Sequence, residues 1–181
     1  MAKGDYLSRL LDNLGISEAD MPSALQNMMD WSGQVRNIES DDNPMAAAGT
    51  TSAKGVYQFT DPSVETGLNR METLGYSERP DWNPFSEEFI EGISQNPQEW
   101  DDEQADAMFF ANMFSQSGSD PFLKEIAMGN NQARRDAYYQ FHHTDPDEAT
   151  TERTEKFIPV STQPVDDTMA GYNNVESAFT S

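Results

Sequence analysis

Along residues 22–40 the chain places Met28, Trp31, Val35 and Glu39 at i, i+3, i+7 and i+11, which puts them on one face of a helix. The stripe that faces the core therefore ends in a carboxylate, and Asn43-Pro44 breaks the helix just beyond it. Farther on, residues 97–116 carry Ala107, Met108, Phe109, Phe110, Ala111, Met113 and Phe114. Apolar residues there go round most of the helical surface, so this helix is expected at the centre of the fold. Asp61-Pro62, Asn83-Pro84, Asn96-Pro97, Asp120-Pro121 and Asp145-Pro146 each set a capping acceptor before a proline suited to a first helical turn. Gly75 and Gly129 stand where left-handed residues end helices. Period and punctuation together predict helices over 5–14, 22–40, 62–74, 84–93, 97–116, 121–128, 131–143 and 146–157. Only Gly55-Val56-Tyr57-Gln58-Phe59 reads as an extended piece, so the fold class is all-α. Residues 158–181 have no helical period and no basic residue, and read as an extended acidic tail.

Composition narrows the classes. The 181 residues suffice for one domain with a sizeable core plus a short appendage. A formal net charge of −21 argues against nucleic-acid binding, which needs basic surface to displace counterions. It fits a surface that is either simply solvated or set against basic partners in an assembly. No apolar run is long enough for a transmembrane helix, and the start Met1-Ala2-Lys3-Gly4-Asp5 does not read as a secretory signal. Cysteine is absent, which removes disulfides and thiolate metal sites, and the two histidines, His142 and His143, are adjacent. Adjacent helical residues point about 100° apart, so a shared metal ion is disfavoured against a simple offset of the helix dipole. No metal or other cofactor is expected.

The chemistry concentrates at Glu39. Partial burial and the negative end of the helix dipole are both expected to raise its pKa, which would keep a proton available for general-acid work. Asp41 and Asp42 follow it on a turn, either as a second carboxylate for a two-carboxylate hydrolase or as solvated loop charges.

Glu39-Ser40, then Asn43-Pro44, then Gly55-Val56-Tyr57-Gln58, in this order and spacing, resemble the motifs of lytic transglycosylases with a goose-lysozyme-like (SLT) fold. That family carries a helix-ending Glu-Ser, an Asn-Pro and a Gly-Leu-Met-Gln-type segment. Its third motif, Ala-Tyr-Asn, has its nearest counterpart in Ala137-Tyr138-Tyr139, where Tyr139 stands for the Asn. The stretch Tyr138-Tyr139-Gln140-Phe141-His142-His143-Thr144 looks most like phage-encoded members. The resemblance implies a lysozyme-like domain over 21–157, after an N-terminal helix in 1–20 and before the tail at 158–181. It implies cleavage of the bond between N-acetylmuramic acid and N-acetylglucosamine in peptidoglycan, with Glu39 as acid and base. Ser40 would hydrogen-bond to and orient the acid or the substrate, Gln58 and the Tyr57 region would line the glycan groove, and Tyr138 would hold the Glu39 carboxyl. It further implies a protein carried in a phage particle with other virion proteins as partners, acting on the wall during genome entry, with the tail as a docking segment. A virion scaffold without turnover and a soluble lysis enzyme are the competing readings.

Overall fold

The computed structural model describes residues 5–49, 51–74, 83–142, Arg153 and Lys156. Among them the chain is helical, with no strand. The helices are α1 (Asp5–Asn13), α2 (Met21–Ser40), α3 (Asp61–Thr73), α4 (Glu87–Glu91), α5 (Asp102–Phe114), α6 (Asp120–Ala127) and α7 (Asn131–Ala137). A 3-10 turn at Pro97–Glu99 precedes α5, and a π-helical turn at Tyr138–His142 continues α7. No helix among the described residues is long and apolar enough to cross a membrane.

Every residue of α5 from Ala105 to Phe114 is buried, so the all-round apolar helix is the centre of the fold. α1 and α3 pack against it, α2 packs on α1 and α6, and α7 packs on α6. α1 sends Tyr6, Leu7, Leu10 and Leu11 into this same core, so it is built into the domain. α3 crosses α5 at Gly67, where an added Cβ would lie 2.2 Å from the Met108 sulfur and 2.8 Å from Asn112 Nδ2. Beside that crossing Arg70 donates to Asn112 Oδ1 at 2.8 Å.

Several boundaries differ from expectation for identifiable reasons. The helix expected over 97–116 is interrupted because Trp100 is extended, with its indole N–H held by the Ser94 carbonyl at 2.7 Å. Asp101 then starts α5 with a full capping box, reciprocated by Gln104. Asn83 does not cap a helix over 84–93. Its amide donates to the carbonyls of Met71 and Glu72 at the end of α3, and Ser86 caps the shorter α4 instead. Thr60 and Ser119 precede α3 and α6, which puts Asp61 and Asp120 inside the first turn, where their charge suits the dipole. Gly129 has φ +89 after α6, as a C-terminal residue should. Gly75, the tail at 158–181, and the helix expected over 146–157 apart from Arg153 and Lys156 lie outside the described residues.

The segment Gly55–Phe59 is a tight turn rather than an extended piece. Gly55 (φ 76) and Gln58 (φ 53) are both left-handed, so the chain doubles back. Lys54 N–H then bonds the Phe59 carbonyl at 3.0 Å and Gln58 N–H the Gly55 carbonyl at 3.1 Å. Gly55 is also the point of closest approach to the 3-10 turn, since a Cβ there would sit 2.9 Å from Pro97 Cβ and the Pro97 carbonyl oxygen.

Candidate active site

The site grows from the last turn of α2. Met28, Trp31 and Val35 are fully buried, and Glu39 continues their stripe with a side chain only 1% exposed. α2 stops one residue after Glu39 because Asp41 (φ 53) and Asp42 (φ 57) are left-handed, a conformation that Asp tolerates better than most residues. Their N–H groups turn back onto the carbonyls of Asn37 (3.0 Å) and Arg36 (3.3 Å). Both aspartates are exposed, and Asp42 pairs with Arg36 at 2.7 Å. Asp42 is thus an exposed loop charge paired with Arg36.

Facing Glu39 is the turn that follows α7. The Trp31 indole donates to the Arg134 carbonyl at 3.2 Å, and Arg134 Nη2 to the Asn27 carbonyl at 3.0 Å. These bonds tie α7 to α2, and Tyr138, just after α7, lies against Glu39. Its phenol donates to Glu39 Oε1 at 2.5 Å. The wider π turn brings His142 round to the same side as Tyr138, as π-turns often do at functional sites. The two rings stack at 5.4 Å, and His142 Nε2 lies 3.6 Å from Glu39 Oε1. Phe109 and Phe59 close over the imidazole edge-on. On the other side of the carboxyl, Arg153 Nη1 stands 3.4 Å from Glu39 Oε2. Burial, then the charge and hydrogen bond of Glu39, push the Tyr138 phenol above its ordinary range, with Arg153 opposing. Tyr138 therefore stays a hydrogen-bond donor to the carboxyl.

The remaining residues singled out from sequence divide between the site and its support. Ser40 is half-buried, with its hydroxyl 2.9 Å from the Val56 carbonyl and 3.1 Å from that of Arg36. It also accepts from Asn43 N–H at 3.2 Å, so it sews the end of α2 to the Gly55–Phe59 turn. Gln58 is half-buried too, its amide donating to the Gly55 carbonyl at 2.8 Å, which braces its own turn. Tyr57 corrects the expectation of a groove-lining side chain. It is 1% exposed, stacked on Phe109 at 4.6 Å and 6°, and donates to the Asp106 carboxylate. Its ring is drawn inward because α5 offers both an aromatic face and a buried acceptor. Burial first, then Asp106, hold the Tyr57 phenol well above its usual range.

Sequence reasoning missed the Arg36–Asp106–Tyr57 network and the orientation of His142. Arg36 bonds Asp42 (2.7 Å) and Asp102 (2.8 Å) and lies 3.6 Å from Asp106. It thus ties α2, one turn before Glu39, to both the start and the interior of α5. The signal available was an aspartate amid the apolar run of α5. For His142, the signal was its i+4 spacing from Tyr138 on a helix already carrying a motif residue. A concavity lined by Pro121, Phe122, Ala133 and Asp136 lies between α6 and α7 and does not include Glu39. Among the described residues no cluster of three or more His, Asp or Glu could hold a metal ion.

Comparison with protein-family models, with curated proteins and with solved structures finds no match.

Proposed function

We propose that the chain is a peptidoglycan lytic transglycosylase with a lysozyme-like domain, and that Glu39 is its acid and base. The observation that carries the reading is the Tyr138–Glu39 hydrogen bond, 99 residues apart in sequence. In the resembled family a tyrosine on a late helix holds a glutamate near the end of an early one, and a contact of this kind between two distant segments supports the reading. Support also comes from the position of Glu39, whose side chain is almost fully covered at the C-terminal end of a helix, where a carboxyl can be held for proton transfer out of bulk water.

In the proposed reaction Glu39 gives its proton to the oxygen between N-acetylmuramic acid and N-acetylglucosamine. The C–O bond breaks, and positive charge develops at the muramic acid C1. The Glu39 carboxylate then takes the proton of the same sugar's 6-hydroxyl as that oxygen attacks C1, closing a 1,6-anhydro ring. Tyr138 holds one carboxyl oxygen through both steps, and Ser40 fixes the helix end against the Gly55–Phe59 turn. Water is not consumed, and no cofactor enters. The resemblance of residues 138–144 to phage-encoded members, with the acidic surface, supports carriage in a phage particle among other virion proteins and local wall opening during genome entry. One observation favours a second reading, a virion scaffold without turnover: the Glu39 side chain is almost fully covered. Release of soluble fragments from purified sacculi separates the two. Wild type should release them and Glu39→Gln should not; no release by either, in folded protein, defeats the enzymatic reading.

A further inference from the structure

The acid role and the Arg153 contact are in conflict. A guanidinium 3.4 Å from Glu39 Oε2 favours the carboxylate over the acid, whereas the first step needs the acid. Tyr138 and His142 lie against Oε1 and Arg153 against Oε2, so both carboxyl oxygens have partners. The two partners of this ion pair are unequally exposed, Glu39 at 1% and Arg153 at 40%. The arginine therefore reaches in from the surface, and its release into water costs far less than exposure of the glutamate.

We propose that Arg153 is an autoinhibitory restraint, and that the contact it makes with Glu39 is a resting state which an incoming glycan strand displaces. This rests on the reading of Glu39 as the acid. Muramoyl peptides carry free carboxylates, which supply an alternative anionic partner for a guanidinium leaving Glu39. Lysine would hold the charge at this position but not the planar fork, and alanine would remove both.

The test is carbodiimide coupling of glycine ethyl ester to Glu39, followed by peptide mass spectrometry, on wild type, Arg153→Ala, Arg153→Gln and Arg153→Lys. Circular dichroism checks that each is folded. Release of fragments from sacculi is measured alongside. Coupling at Glu39 should rise by about fivefold in Arg153→Ala, as expected for loss of a partly exposed ion pair, and stay nearer wild type in Arg153→Lys. Fragment release should rise with it. Arg153→Gln, which keeps a long polar side chain but loses the charge, should couple faster as well, and this arm holds even if the alanine variant does not fold. Coupling that is unchanged or slower in folded Arg153→Ala or Arg153→Gln overturns the restraint. A fall in fragment release also overturns it, because Arg153 would then belong to the working machinery. Faster coupling with no fragments from any variant shows that Arg153 covers Glu39 but removes the transglycosylase reading, and with it the autoinhibitory role.

Discussion

Tyr138→Phe isolates the contact on which the functional reading turns. The ring is fully buried and stacks on His142, and phenylalanine fills the same space, so the change removes little but the hydroxyl. That hydroxyl is the donor to Glu39 Oε1. A hydrogen bond to a charged group contributes about 1.5–3 kcal/mol. If the phenol orients the carboxyl through the chemical step, that range is a loss of roughly 10- to 150-fold in turnover. The same deletion leaves a buried carboxyl with one donor fewer, so thermal stability should fall by several degrees, at about 2–4 °C per kcal/mol for a chain of this size. The assay is fragment release from sacculi at saturating substrate, with Tm measured on the same preparations. Tyr138→Phe that keeps both wild-type turnover and wild-type Tm would refute the argument. A fall in Tm with full turnover would make the bond structural only.

Other expectations follow from the packing. Asp106→Ala strands the Tyr57 phenol and removes the buried partner of Arg36, and should cost about 3 kcal/mol in denaturant unfolding; a loss below about 1 kcal/mol would show the network to be idle. Gly55→Ala combines a left-handed φ with a Cβ 2.9 Å from Pro97 and should cost about 2 kcal/mol or more, read as a lower denaturation midpoint, whereas an unchanged midpoint contradicts it. The phenols of Tyr6, Tyr57 and Tyr138 are all raised by burial first and by neighbouring carboxylates second. Above their unfolded pKa of about 10 the native state binds more protons than the unfolded chain. The stability they contribute is therefore whole below pH ~10 and is lost as pH rises beyond it. In an alkaline ultraviolet titration these three should ionise only with unfolding, and their early, reversible ionisation in folded protein would contradict the assignment.

How much of this was legible in the sequence depends on how local the physics is. The α2 stripe was readable because helical period alone puts Met28, Trp31, Val35 and Glu39 on one face, and α5 was readable because few helices are apolar all round. The Asn-Pro and Asp-Pro pairs were less informative. Asn83 finds better partners in the exposed carbonyls of α3 than in the helix after it, a tertiary choice that no local pattern encodes. Tyr57 misled for a related reason. Its place in the Gly55–Gln58 motif pointed to the groove, while its burial depends on Phe109 and Asp106, about fifty residues on. From sequence His142 reads as a helix-end charge, although its i+4 spacing from Tyr138 already puts the two on one side of the helix. Arg153 sits in a stretch with nothing in its pattern to connect it to Glu39, and only the fold brings the two together.

The measurement that bears most directly on the central claim is mass spectrometry of the soluble products from purified peptidoglycan, with Glu39→Gln as the control. Wild type should yield muropeptides ending in 1,6-anhydro-N-acetylmuramic acid, and Glu39→Gln, which keeps the size of the side chain but cannot give or take the proton, should yield none. Anhydro products from folded Glu39→Gln at the wild-type rate, or none from either protein, would contradict the assignment of Glu39.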